Sequence, residues 1–448
     1  MGLDPHLLFR DIDTGRGLVV AVSGGGDSLA LLLLLHDHLS RHDPAARLLA
    51  VTVDHGLRPE SAAEARQVAS LCAAHGIAHE TAVWRGTKPR TGLGAAAREA
   101  RYGLLADAAA RFGADIVLAG HTRDDQAETL AMRAARGEGA GLAGMAAATL
   151  FDSRIWIVRP LLGLRRHALR DRLAARGVPW IDDPTNEDPA FERARVRRAL
   201  SEEEVEALAQ RAQSEGTARQ ALAGAAALLV DRFAARPAPG LLRLDHALFG
   251  DAVDRKAAIL ALRALLASAG GTPHLPDAAR VGALHARLVA GERLRATLSR
   301  AVVDARRDGV YLRREARDLP TVALAGGGLI WDGRHRVAVR AGAEGAEGWT
   351  VAPLGRERAD EMCPAAAAGV PRSLARAALA AEPALFADER PATDAEAAAH
   401  GISVVPAVAP FARFLPGFDL ALAAALGRLL GAPALPAAPW KHHIDAEA

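Results

Sequence analysis

The feature that most constrains this chain is a turn near its start. Residues 18–22 form a short apolar run, 23–28 read SGGGDS, and 28–39 continue as an apolar helix. A strand that passes into a helix through three glycines can close tightly around an anion. Glycine lets the backbone approach, and the helix N-terminus adds partial positive charge. No GK[ST] follows, so the turn is not a Walker A loop, and no GxGxxG follows the strand to suggest a dinucleotide fold. Asp27 discriminates further. A carboxylate beside polyphosphate repels it unless Mg²⁺ lies between. The plainer role for Asp27 is to cap the helix.

The same rhythm continues. Apolar segments at 48–53, 80–84, 115–119 and 155–158 alternate with helical segments at 59–75, 94–112, 124–135 and 165–176. This βαβα order predicts an α/β fold with a parallel, doubly wound sheet covered on both faces. Ligands bind such sheets at the carboxyl ends of the strands. The unusual residues follow strands one, two and four.

After strand two comes VDHGLR, with Asp54 and His55 where the chain leaves the sheet; a histidine there is structural as readily as catalytic. In GAAAREARY, Arg98 and Arg101 stand at i, i+3 and share a helical face, able to clamp phosphate oxygens or simply to face water. After strand four comes GHTRDDQAET. Thr122 and Asp125 have capping-box spacing, and Asp124 and Glu128 share a face. Capping explains Thr122 and Asp125. It does not explain His121, Asp124, Asp125 and Glu128 together at one strand end. Such a carboxylate group beside a phosphate seat calls for a cation, either Mg²⁺ or a substrate ammonium. Further on, residues 155–198 are rich in arginine: Arg159, Arg165, Arg166, Arg170 and Arg172, then Arg193, Arg195 and Arg197. Arg193 and Arg197 share a helical face, suited to phosphates of RNA or of an adenylate.

These motifs, in order, resemble those of the PP-loop (N-type ATP pyrophosphatase) class and, within it, the tRNA(Ile)-lysidine synthetase family. SGGGDS is similar to the SGGxDS loop that holds the pyrophosphate of ATP. VDHGLR is similar to a segment lying along the adenine. AxREARY resembles an arginine motif that reaches the nucleotide, and GHTRDDQAET one whose acidic residues hold amino acid and metal. RGEGAGLAGM at 136–145 is one residue shorter than the family's glycine-rich loop. DDPTNEDPAFERARVR, with Asp183, Thr185, Asn186 and Asp188, matches a further motif but has Ala194 where asparagine is usual. The resemblance covers roughly residues 17–200.

It implies ATP and Mg²⁺ as cofactors. Ser23, Gly24, Gly25, Gly26, Asp27, Ser28, Asp54 and His55 would bind nucleotide. Asp27, Arg98, Arg101, His121, Asp124, Asp125 and Glu128 would be catalytic, with Asp27 and Asp124 at the metal. Arg159, Arg193, Arg195 and Arg197 would contact RNA or adenylate. The implied partners are free L-lysine and tRNA(Ile) with a CAU anticodon, and a homodimer is left open. The implied reaction joins lysine to carbon 2 of the wobble cytidine through an adenylated intermediate, releasing AMP and pyrophosphate.

The rest of the 448-residue chain says less. The expected division is a catalytic domain at 1–200, a mostly helical domain at 201–295, and a mixed α+β region at 296–448 that serves tRNA binding. A PAPG break stands at 237–240, and hairpins are expected at 296–314 and 329–340, each turning on an Asp-Gly pair suited to a type I′ turn. Formal charge nearly balances at +2, and all basic residues but Lys88, Lys256 and Lys441 are arginine. Cys72 and Cys363 form no CxxC, which argues for a reduced, cytoplasmic setting and against a zinc ribbon. No apolar run is long enough to span a bilayer. The rivals are a PP-loop tRNA thiolase, which needs paired cysteines, a glutamine amidotransferase, which needs a Cys–His glutaminase site, and an RNA-binding protein without chemistry.

Overall fold

The computed structural model describes residues 4–57, 59–89, 91–137, 140–183, 188–324, 328–340, 348–363 and 370–439. The chain forms two compact units, one of Met1–Gln220 with Pro416–Phe418, the other of Ala221–Leu415 with Asp419–Leu435.

In the first unit α1 (Pro5–Phe9) precedes β1 (Leu18–Ala21), α2 (Gly26–His42), β2 (Leu48–Asp54), α3 (Ser61–Ala74), β3 (Ala78–Val83) and α4 (Leu93–Phe112). Then come β4 (Ile116–Ala119), α5 (Arg123–Ala134), β5 (Ala148–Phe151), β6 (Ile155–Val158), α6 (Arg166–Ala175) and α7 (Glu192–Ala199), and α8 (Glu202–Phe233) begins in this unit and ends in the second. Six neighbouring strands of a seven-stranded sheet run in the order β5-β6-β4-β1-β2-β3. β3, β2, β1, β4 and β6 are parallel, as the alternation predicts. β5 was not expected and runs antiparallel to β6, as an edge addition. Its turn rests on Asp152 and Ser153 at φ 54° and 56°.

The strands β1, β4 and β6 are buried at every position, which is why they read as unbroken apolar runs rather than alternating ones. α2 is enclosed through Leu29–Leu35 for the same reason. β1 lies between β2 and β4. The order in which strands are added reverses there, so a crevice opens at the carboxyl ends of β1 and β4.

In the second unit, β7 (Ala234–Ala238) and β8 (Leu241–Leu244) form a hairpin around the expected PAPG break. α9 (Arg255–Gly270) and α10 (Ala278–Val289) follow, then β9 (Leu294–Leu298), β10 (Ala301–Arg306) and β11 (Gly309–Arg314). These strands make one antiparallel sheet, β7-β8-β11-β10-β9, combining segments from both sides of residue 295. The expected Asp308-Gly309 type I′ turn is corrected. Arg306 pairs with Gly309, so Arg307 and Asp308 make the turn, and neither has positive φ. The φ > 0 pair sits instead between β9 and β10, at Ser299 and Arg300. Asp332-Gly333, by contrast, takes φ 49° and 71°, as type I′ geometry needs. The other strands of this unit pack around Trp331, Val337, Trp349 and Val351.

Candidate active site

The turn after β1 is built by its own hydroxyls. The Ser28 hydroxyl accepts the Ser23 N–H at 3.2 Å and donates to the Gly25 carbonyl at 2.9 Å. Gly24 sits at φ +84°, and a Cβ there would stand 2.6 Å from Ile181 Cδ1. Glycine is therefore required twice at this position, by conformation and by space. Gly25 caps α2 without a side-chain bond, so Asp27 does not cap the helix. One Asp27 oxygen, Oδ1, is buried and has no hydrogen-bond partner; the other accepts Arg166 Nε at 3.0 Å. Burial raises the Asp27 carboxyl above its usual value, with Arg166 pulling the other way.

Across the crevice, β4 ends at Gly120, where a Cβ would come within 2.9 Å of the Asp27 carbonyl oxygen. α5 then opens with the expected capping box: the Thr122 N–H and hydroxyl donate to Asp125 Oδ2 at 2.8 and 3.0 Å. Asp124, Asp125 and Glu128 do converge, and what they converge on is an arginine. The Arg166 guanidinium reaches Asp27, Asp125 at 3.1 Å and Glu128 at 3.2 Å, while its backbone N–H donates to Asp124 at 2.8 Å. The three carboxylates raise the Arg166 guanidinium above its usual value despite the cost of burial. Burial alone would raise Asp125, but Arg166, His121 and the Thr122 N–H outweigh it and hold Asp125 below the usual range.

Arg193 and Arg197 share the expected face of α7, and both meet Glu128, at 3.3 and 2.7 Å. Arg193 also donates to Thr129 at 3.1 Å. Ala194, between them, is buried, so the missing asparagine leaves no exposed gap.

His121 is enclosed. Burial, with Arg159, Arg101 and Arg98 near it, holds its imidazole far below the usual value against the pull of Asp125. Arg98 lies over the Tyr102 ring at 4.9 Å. His55 stands edge-on to Trp84, with ring centroids 6.2 Å apart, and is also held low by burial and Arg101.

Four expected residues have protein partners of their own. Arg159, expected at RNA or adenylate phosphates, is 4% exposed and donates to the Ala146 carbonyl at 2.8 Å and Thr149 Oγ1 at 3.0 Å. It follows a buried strand, and the fold uses its donors to satisfy internal oxygens. Arg195 donates to the Pro189 and Ala190 carbonyls. Asp54 accepts the Ser61 hydroxyl and the Gly56 N–H, which together hold it below its usual value. Asp124, expected beside Asp27 at a metal, has both oxygens engaged by Arg165 and the Arg166 N–H. Thr185, Asn186 and residues 138–139 of the glycine-rich loop lie outside the described residues. The loop's later part is held by Arg133, which donates to the Gly141 and Gly144 carbonyls at 2.9 and 2.7 Å.

Arg166 is the residue that sequence reading passes over, one arginine in a chain full of them. A signal did exist. Arg165 and Arg166 open α6, where the helix dipole disfavours cations. Two cations in that place need anions facing them.

Thiol chemistry finds no support in Cys72, which is buried and whose thiol burial pushes up to about 11. Among the described residues no helix is long and apolar enough to cross a membrane.

Comparison with known proteins agrees with this geometry. A PP-loop domain model, ATP_bind_3, matches residues 6–204. A tRNA(Ile)-lysidine synthase of Mesorhizobium japonicum is 52% identical over 447 residues, covering 97% of each chain. Its namesake from Rhizobium meliloti is 41% identical over 96% of this chain and 95% of that one. One from Brucella ovis is 38% identical over 96% and 98%. Among solved structures, the U34-tRNA thiolase NcsA from Methanococcus maripaludis covers 47% of this chain and 76% of its own at 17% identity and a TM-score of 0.41, too slight a likeness to argue from. With identity sustained over nearly its whole length, and a phosphate turn facing an acidic helix across the strand reversal, the chain belongs to the tRNA(Ile)-lysidine synthase family.

Proposed function

We propose that this enzyme joins L-lysine to carbon 2 of the wobble cytidine of tRNA(Ile) with a CAU anticodon, using ATP and releasing AMP and pyrophosphate. The observation that carries this reading is the meeting of Asp27 with Asp125 and Glu128 on one guanidinium. A phosphate seat and a binding place for a cationic substrate then share one crevice.

The cytidine enters splayed from its loop, as chemistry on a base requires. Its O2 attacks the α-phosphorus, and pyrophosphate departs into the N–H groups of Ser23–Ser28. Arg98 and Arg101 stabilise charge on the phosphate oxygens. The lysine ε-amine, freed of a proton, then attacks carbon 2 of the adenylated cytidine, and AMP leaves with the former O2. Asp124 or Asp125 is the base that takes this proton.

Mg²⁺ fits this site through Asp27, whose buried Oδ1 lacks a partner. One carboxylate plus phosphate oxygens is an ordinary magnesium donor set. When bound, it would neutralise phosphate charge. Arg193 and Arg197 support the site through Glu128, and Arg195 is left to meet RNA phosphate.

The test is to mix protein, ATP, labelled lysine and tRNA(Ile) transcript. Label should attach covalently to the RNA, with pyrophosphate release needing tRNA and AMP release needing both tRNA and lysine. Sustained AMP release without lysine, or lysine incorporation unaffected by Asp27→Asn, defeats the reading.

A further inference from the structure

Three imidazoles gather at the opposite end of α2 from the phosphate turn. His38 and His42 stand four residues apart on one helical face, and His6 comes from α1, which packs against α2. Ring centroids lie 4.5 Å apart for His6 and His42, 4.8 Å for His38 and His42, and 5.5 Å for His6 and His38. One ring nitrogen from each lies within 4.8 Å of the other two. No other group of three metal-binding side chains this close occurs among the described residues. His38 is 7% exposed, and its Nδ1 is buried without a hydrogen-bond partner. A buried polar atom left unmatched needs a reason.

We propose that His6, His38 and His42 bind one divalent transition-metal ion of the zinc class. The donor set is all imidazole, which suits zinc, copper or nickel and does not suit calcium or magnesium. Zinc holds imidazole nitrogens at about 2.0–2.1 Å, which puts neighbouring nitrogens roughly 3.3 Å apart. Side-chain rotation closes the remaining gap. His6 and His42 are exposed, so water completes the coordination from the solvent side. The start of α1 is already fixed, because Asp4 accepts the His6 N–H at 2.9 Å. The ion would clamp α1 onto α2. α2 has 17 residues and is therefore about 25 Å long, which separates this site from the chemistry at its other end.

The test uses the full chain purified without a histidine tag. Zinc is titrated in competition with a chromophoric chelator, and tryptic cleavage after Arg10 is followed with and without zinc. The expected result is one equivalent bound, slower cleavage with zinc, and binding weakened at least about 100-fold in His42→Gln and His38→Ala. His36→Gln, just outside the cluster, should bind like the parent. The exposed His42→Gln keeps the test decisive should His38→Ala fold poorly. Parent binding no tighter than that of His42→Gln, or equal weakening by His36→Gln, overturns the proposal.

Discussion

Arg166 Nε stands 3.0 Å from Asp27 Oδ2, joining the phosphate turn to a helix 139 residues away in sequence. The same guanidinium reaches Asp125 and Glu128, so one side chain separates three carboxylates. Removing it leaves Asp27 and Asp125 without their guanidinium and Glu128 with only Arg193 and Arg197. Arg166→Ala should lower lysine incorporation at least 100-fold, by the order of about 3 kcal/mol or more, and destabilise the first unit by roughly 3–5 kcal/mol. Lysine incorporation and thermal melting measure the two effects. A variant with unchanged melting and full activity would remove Arg166 from the site.

Gly24→Ala places a methyl 2.6 Å from Ile181 Cδ1 on a backbone at φ +84°. Conformational strain and overpacking should together cost about 2–4 kcal/mol. Ile181→Ala in the same chain should restore part of the stability, because it removes the clash and not the strain. Chemical denaturation of the single and double variants reads this out. Full recovery by the second change would mean that the positive φ carries no penalty.

Burial and the Arg159, Arg101 and Arg98 charges depress the His121 imidazole. Its folded value lies below the unfolded one, so the neutral ring stabilises the fold above about pH 6.5, and that contribution fades as pH falls. The His121 ring resonance should therefore stay flat in an NMR titration from pH 8 to pH 5 (a range set by the unperturbed imidazole value of about 6.5). A midpoint near the usual histidine value would show the enclosure to be wrong.

Glu382 in the second unit accepts a bond from Arg334 and lies 3.5 Å from His335, and these partners hold its carboxyl at about 2 against the cost of burial. Its folded value is depressed, so its contribution is complete above the unfolded value of about 4.5 and is lost as pH falls towards about 2. Hydrogen exchange in segments 331–336 and 379–387 should accelerate across that window. Glu382→Gln should flatten the acid response while lowering stability at neutral pH.

Arg195 and Arg197 separate two roles on one short helix. Arg197 meets Glu128, whereas Arg195 donates to the carbonyls before the helix. Arg197→Ala should reduce turnover and melting together. Arg195→Ala should leave melting within about 0.5 kcal/mol and raise the KM for tRNA, with the difference shrinking at high salt. Equal effects from both would deny the division.

Much of the first unit was legible because its strands are buried on both faces and its site residues lie at strand ends. β5 was missed for a local reason. Its turn takes positive φ at Asp152 and Ser153, without the glycine or asparagine that usually marks such a place. Ser299 and Arg300 hid a second turn in the same way, while Asp308-Gly309 drew the expectation one residue along the chain. In the site, carboxylates were legible by spacing on α5. Their partner was not, because arginine abundance masks the one that matters. Whether a guanidinium points outward or inward depends on packing that periodicity does not encode, as Arg159 demonstrates with its burial among carbonyls.

Position 120 has no side chain, and the first turn of α2 lies directly against it. The two halves of the crevice therefore share a common footing. Neither can drift without pushing the other, so the spacing between the phosphate turn and the start of α5 is set by the rigid floor of the sheet rather than by wandering loops. A methyl at 120 would act as a wedge, prising apart two half-sites whose own residues were all intact.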